Sequence, residues 1–302
     1  TMSSDNSIYH SPAGAQAVMA LYDNALAHWP IPFETRQIPT RYGETFVLTC
    51  GNPAGAPLVL LHGAGTNSAI WAGDVAEYGR QHRVYAIDLL GEPGKSAPNR
   101  PAWDSPAYGD WLAEVLAALD LVQVTLLGIS QGGWTALQLA VSRPGRVARL
   151  VLLCPGGIVP DRLSFVLRAV PLSLLGSWGT RRLVRLLYGD QPVPEGVEEI
   201  LVVVTRSFKA RMGVLPLFSD AELQQLTMPT LLLAGTKDAL RDSARIAARL
   251  AQHLPQLTVT LLPGAGHALV DPAGEVLDFL AATAEVVTGC FYQPPGSAWL
   301  AA

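Results

Sequence analysis

Charge is what this sequence has least of. Lys and Arg number 21 and Asp and Glu 25, so only 15% of the 302 residues are charged, against roughly 25% in an average globular chain. The electrostatic footprint of a nucleic-acid-binding surface is a basic excess, and there is none. Disorder needs low hydrophobicity with high charge, the reverse of the 49% apolar content found. Cysteine is scarce as well. Cys50, Cys154 and Cys290 are odd in number, far apart and without metal-ligand spacing, a pattern that predicts a reduced, cytoplasmic protein. No basic segment followed by an apolar run opens the sequence, so no secretory leader is expected.

Long hydrophobic runs are also missing, with one partial exception. Leu121 to Ser142 is a 22-residue stretch without a charge, and it contains Gly128-x-x-x-Gly132. Three Gln, two Ser, two Thr and three Gly interrupt it, which argues against a membrane span. Its first half is β-branched and its second rich in Ala and Leu. That composition reads as strand, turn, helix.

What is present is a recurrent pattern of short apolar runs punctuated by Gly and Pro. Leu58–His62, Val84–Asp88, Val124–Gly128, Leu150–Cys154, Thr230–Ala234 and Leu257–Leu262 read as buried strands. Helix-length segments such as Tyr108 to Leu119 separate them, so an α/β fold with a mostly parallel sheet covered on both faces is expected. Thr35 to Cys50 alternates around a turn at Arg41–Glu44 and predicts an edge hairpin. Between about Gly156 and Leu226 the strands stop. Leu163–Tyr188 and Glu195–Met212 carry helical periodicity broken by Pro171, Gly176 and Pro216. The expectation is a core of residues 1–156 and 227–302 with a helical insertion at 157–226, whose apolar positions turn inward. That insertion holds 15 charged residues among its 70, so the charge deficit lies in the core. The tail from Cys290 to Ala302 is expected to be loosely ordered.

Gly128-Ile-Ser130-Gln131-Gly132 sits where a strand hands over to a helix. A nucleophile at so tight a turn adopts a strained backbone, and side chains two residues to either side would clash, hence Gly128 and Gly132. A serine hydroxyl needs a base, and the base an orienting group. Of six histidines, His10 falls in an N-terminus expected to be flexible. His28, His82 and His253 fall in helix-terminal or connecting segments with exposed positions expected. His267, in the loop after the last strand, is the candidate base, with His62 its rival. Asp238, following the strand that ends at Ala234, is the candidate carboxylate. Its alternative role is as the N-cap of a helix from Arg241 to Leu250, and Asp88 is its rival. For the oxyanion, the N–H of Gln131 at the helix start and that of Ala64, with Gly65 as alternative, are the candidate donors. No P-loop, dinucleotide fingerprint or metal-ligand pair is present, so neither cofactor nor metal is implied.

Ser130, Asp238 and His267 stand in the chain order nucleophile, acid, base of the α/β-hydrolase fold. From about residue 15 to 282 the sequence resembles serine hydrolases of that fold. More narrowly it is similar to bacterial carboxylesterases of the naproxen-esterase type. The shared stretches are His28–Pro30, Thr40–Gly43, Leu58–Gly63, Tyr85–Asp88, Gly91 with Lys95-Ser96, and Phe218–Leu223. Gln131 is polar where that group tends to carry an aliphatic residue. The resemblance implies an eight-stranded sheet, a helical cap between strands 6 and 7, and ester hydrolysis through an acyl-enzyme.

A serine at the elbow excludes the dehalogenases and epoxide hydrolases of this fold, which need Asp there. Carbon–carbon-bond hydrolases, lactonases, perhydrolases and acyltransferases share the same three residues, and so do some non-turnover receptors. An apolar pocket under a cap suits a small-molecule ester with a neutral, hydrophobic acyl or aryl half. The cap offers no convincing cationic cluster, since Arg181, Arg182 and Arg185 read as a solvated helix face.

Overall fold

The computed structural model describes residues 8–211 and 213–283; the tail that contains Cys290 lies outside them. The chain opens with helix α1 (Pro12–Ala27), then strands β1 (Phe33–Thr40), β2 (Gly43–Gly51) and β3 (Ala56–Leu61). Helix α2 (Val75–Gln81), β4 (His82–Ile87), α3 (Ala107–Ala118) and β5 (Val124–Ile129) follow. Next come α4 (Gln131–Ser142) and β6 (Val147–Leu153). Four helices then run without a strand: α5 (Leu163–Ser173), α6 (Gly176–Tyr188), α7 (Val197–Ser207) and α8 (Asp220–Leu223). The alternation resumes with β7 (Thr230–Gly235), α9 (Ser243–His253), β8 (Leu257–Leu262) and α10 (Ala273–Ala282).

The strands form one eight-stranded sheet in the order β1-β2-β4-β3-β5-β6-β7-β8. The β1–β2 hairpin is antiparallel and pairs antiparallel with β4. All the other pairings are parallel. Apolar side chains leave each central strand alternately to two cores. In β3, Val59 and Leu61 join one cluster with α3, α4 and α9, while Leu58 and Leu60 join another with α2 and α10. A strand buried on both faces cannot show polar alternation, which is why these segments read as unbroken apolar runs. Each such Leu or Val removed from water contributes on the order of 1.5–3 kcal/mol.

Parallel strands bring their C-terminal ends to one edge. The loops after β3, β5, β6, β7 and β8 therefore meet there, and they carry residues 62–65, 130, 154–157, 236–242 and 263–267. Among the described residues no helix is long and apolar enough to cross a membrane.

Four local expectations are corrected. His10 is not in a free end: its N–H donates to Ser207 O at 2.8 Å, and Lys209 N–H donates to Ile8 O at 2.8 Å, a short antiparallel bridge. His82 is buried rather than exposed, because it starts β4 beneath the Gly51–Gly55 turn. The last long helix before β8 begins at Ser243, capped by Asp242, whose side chain accepts the Arg245 N–H at 3.1 Å. Arg241 and Asp238 are thus both in the preceding loop. Finally, the apolar positions of α5 do not all turn inward. Leu163, Leu167 and Val170, with Leu174 just after the helix, are exposed and α5 buries no residue, because among the described residues it packs chiefly against α6.

Candidate active site

Ser130 stands between β5 and α4 with φ 53° and ψ −108°, a left-handed conformation for a residue with a side chain. Its backbone is held on both sides. The Ser130 N–H donates to Leu153 O at 2.9 Å, and its carbonyl accepts the N–H groups of Trp134 and Gly156, each at 3.0 Å. The neighbouring glycines are required by contact rather than by φ. A Cβ on Gly128 would lie 2.5 Å from backbone atoms of Gly132 and Gly133, and one on Gly132 would lie 2.1 Å from Leu61 O. Helix α4 therefore passes close enough to β3 and β5 to turn the Ser130 hydroxyl out over the strand ends.

The structure brings Ser130, Asp238 and His267 together in one chain of hydrogen bonds. His267 Nε2 lies 3.0 Å from Ser130 Oγ, and His267 Nδ1 lies 2.8 Å from Asp238 Oδ2. The other carboxylate oxygen, Oδ1, accepts the Leu240 N–H at 2.7 Å and the Arg241 N–H at 2.9 Å. Burial by itself would raise the Asp238 pKa. The bond to His267, the charge of that ring and the two backbone N–H groups outweigh burial and hold the carboxyl below its ordinary value. The loop bearing His267 is fastened to the end of α6: Gly266 N–H donates to Tyr188 O at 3.1 Å and Ala268 N–H to Leu187 O at 2.9 Å.

The rival residues have other partners. His62 is fully buried, its Nε2 accepting the Leu89 N–H at 2.8 Å and its Nδ1 lying 2.8 Å from Gly63 O. Burial lowers its pKa, so the ring stays neutral and joins the loop after β3 to that after β4. Asp88 accepts from Tyr22 Oη, the Ser68 N–H and hydroxyl, and the Lys95 N–H, all within 2.9 Å. It shapes a loop.

Ala64, Gly65 and Gln131 border the site at the ends of β3 and β5. The Gly65 N–H is already engaged with Glu92 Oε2 at 2.7 Å. The other oxygen of Glu92 accepts from Gln131 Nε2 at 3.1 Å. Glu92 is 2% exposed. Burial pushes its pKa up to about 7, against the opposing pull of the Gly65 N–H, the Gln131 side chain and the charges of Arg100 and Arg211. Sequence reasoning did not single out Glu92.

A second unanticipated group is Arg241. Its Nη1 donates to Ser130 Oγ at 3.2 Å and to Cys154 O at 3.3 Å. Its Nε lies 2.7 Å from Asp161 Oδ1, an ion pair by distance but too bent to count as a hydrogen bond. The residue is 4% exposed. Cys154 completes the surroundings, its donor atom within 4.8 Å of those of Asp238 and His267. Burial pushes that thiol far up, and Asp238 and His267 spend their facing atoms on each other.

The family model of the alpha/beta hydrolase family matches residues 58–279. An uncharacterised carboxylesterase, nap, of Bacillus subtilis (strain 168) is 28% identical over 263 residues, which are 82% of this chain and 85% of that protein. The crystal structure of the B. subtilis carboxylesterase CesB (YbfK) superposes with a TM-score of 0.79 at 27% identity, covering 89% of this chain and 99% of that one. That of B. subtilis naproxen esterase (carboxylesterase NP) gives 0.74 at 26% identity, covering 97% and 100%.

Proposed function

The chain belongs to the alpha/beta hydrolase family, and from that premise we propose that it is a carboxylic-ester hydrolase working through Ser130, His267 and Asp238. The observation that carries this reading is the unbroken path from Ser130 Oγ through both His267 nitrogens to Asp238, with bonds of 3.0 and 2.8 Å. Relatives named as carboxylesterases favour an ester over the other substrates such a path can serve.

In this mechanism His267 Nε2 takes the Ser130 proton as Oγ bonds to the ester carbonyl carbon. Asp238 keeps the proton-bearing Nδ1 turned toward itself and stabilises the imidazolium. The carbonyl oxygen, now negative, sits against the N–H groups of Gln131 and Ala64. Since the Gly65 N–H is engaged with Glu92, Ala64 is the better second donor. His267 then protonates the departing alkoxide, the carbon–oxygen bond to the alcohol breaks, and an acyl-Ser130 remains. A water deprotonated by His267 attacks that ester, and Oγ leaves with the proton.

Residues 157–226 serve as a cap over a core of 1–156 and 227–302. Support comes from the four consecutive helices of this segment and from the α6 terminus, which grips the His267 loop. The substrate is a small ester. A neutral, hydrophobic acyl or aryl half, as expected from the sequence, leaves the guanidinium beside Ser130 without a role.

The test is labelling with a fluorophosphonate probe, followed by mapping of the modified residue, beside turnover of a graded series of p-nitrophenyl esters. Labelling at Ser130, and its loss together with turnover in Ser130→Ala, is the expected result. Ordinary turnover by Ser130→Ala would overturn the assignment.

A further inference from the structure

Arg241 is an odd neighbour for a serine nucleophile. A guanidinium is always charged and offers five N–H donors in a planar fork. Burying one is costly unless its charge is met. Among the described residues the only carboxylate within ion-pair distance of it is Asp161, whose side chain is 31% exposed and which reaches Nε alone. On the far side of the fork, Nη1 spends one hydrogen on Cys154 O and the other on Ser130 Oγ, while Nη2 has no acceptor among the described residues. The side chain is nevertheless 95% buried. A half-paired, buried cation at the reacting atom is a site waiting for an anion.

We propose that Arg241 is the specificity-determining residue for esters whose acyl half carries a carboxylate, with no more than about two carbons between that carboxylate and the scissile carbonyl. The inference rests on the hydrolase reading above and deepens it. Chain length follows from reach. Nη1 is 3.2 Å from Oγ, and a charge-assisted N–H···O bond adds ~2.8 Å, so the carboxylate oxygens lie within about 6 Å of Oγ. With C–C bonds of ~1.5 Å, an acyl group of malonyl or succinyl length spans that distance. Longer acyl groups would overshoot it unless they folded back.

The chemistry also explains why Nη1 rests on Oγ in the free protein. Before reaction the hydroxyl oxygen is its acceptor. Nη2, which has no such acceptor among the described residues, can hold the carboxylate from the first encounter. As Oγ bonds to the carbonyl carbon it becomes an ester oxygen, a poor acceptor, and the Nη1 hydrogen is released within the acylation step that kcat/KM reports. Together with Nη2 it then presents the two parallel donors that a carboxylate takes bidentately. The arginine thus changes partners as the acyl-enzyme forms. Asp161, on the chain leaving β6, keeps the fork from rotating.

The experiment compares monoethyl succinate with ethyl 4-methylpentanoate, in which an isopropyl group replaces the carboxylate at nearly the same shape. The readout is the ratio of kcat/KM for the two esters, in the unaltered protein and in Arg241→Gln and Arg241→Lys. The proposal expects a ratio well above one, falling at least ~30-fold in Arg241→Gln and less in Arg241→Lys, which keeps the charge but not the fork. A ratio at or below one in the unaltered protein overturns it without appeal to any variant. An equal loss on both esters also overturns it, because Arg241 would then serve Ser130 and not the substrate. Succinate binding to Ser130→Ala, measured by calorimetry, separates the two levels. If neither these two esters nor any p-nitrophenyl ester turns over and the fluorophosphonate leaves Ser130 unlabelled, the hydrolase reading fails. The anion site then stands only if succinate still binds and Arg241→Gln weakens that binding at least ~30-fold.

Discussion

Glu92 Oε2 accepts the N–H of Gly65 at 2.7 Å, and its second oxygen accepts from the Gln131 side chain at 3.1 Å. One buried carboxylate therefore ties the loop after β3 to the elbow after β5, the two segments proposed to supply the oxyanion donors. The arrangement has a cost that depends on pH. In the folded state Glu92 holds its proton up to about 7, whereas its ordinary value is 4.5. Between those values the native state binds the extra proton, so stability declines as pH rises, by about 3 kcal/mol from this group. Glu92→Gln removes that decline. The stability difference between Glu92→Gln and the unaltered protein should shift in favour of the variant from pH 5 to pH 8, read as urea midpoints. A difference independent of pH over that range would refute a buried, ionising Glu92. Glu92→Leu takes the acceptor from both Gly65 and Gln131 and should lower kcat roughly tenfold or more.

Asp238→Asn tests the orienting role. Oδ1 can go on accepting from Leu240 and Arg241, so the loop should keep its shape. The new amide would face His267 Nδ1 with a donor, forcing the ring to the tautomer whose Nε2 carries the proton and cannot accept one from Ser130. The expected fall in kcat is on the order of ten-thousand-fold, with little change in thermal midpoint. A loss of under tenfold in ester turnover would mean that the carboxylate does not act through the ring.

How much of this was open to sequence reasoning follows from where each residue's partners lie. The buried strands are legible because a strand covered on both faces is apolar at nearly every position, and the glycines flanking Ser130 advertise a turn. Asp238 and His267 stand just beyond such strands, so their positions at one sheet edge follow from the parallel topology. Glu92 and Arg241 are not legible in this way. The first makes its key contacts 27 and 39 residues away and the second 111, with no local pattern to mark either. Arg241 also looks like the start of a helix, since the apolar periodicity of α9 begins just after it. The exposed side of α5 was missed for a related reason. Periodicity reports that a helix has an apolar side, but not whether a neighbour exists to cover it.

Gly132 should be the least replaceable residue of the elbow. A Cβ there would lie 2.1 Å from Leu61 O and 2.5 Å from His62 O, both backbone atoms at the end of β3. Neither can yield without moving a central strand. Gly132→Ala should cost more than about 3 kcal/mol, visible as a large drop in thermal midpoint. Gly145 has nothing within 4 Å of the same virtual atom and no unusual φ, so Gly145→Ala is the matched control and should stay within about 1 kcal/mol. Equal midpoints for the two variants would remove the close-approach argument.

The strain at Ser130 can be weighed separately from its chemistry. At φ 53° and ψ −108° a side chain is disfavoured by about 1–3 kcal/mol, and glycine escapes most of that. Glycine also enlarges the freedom of the unfolded chain, which takes back roughly 0.5–1 kcal/mol. Ser130→Gly and Ser130→Ala both lack the hydroxyl, so both should be inactive. Only Ala keeps the Cβ that resists this backbone. Ser130→Gly should therefore be the more stable of the two by about 1 kcal/mol, read from denaturant midpoints at constant slope. If Ser130→Ala matched or exceeded it, the bonds from Leu153, Trp134 and Gly156 would be holding an elbow that stores no strain.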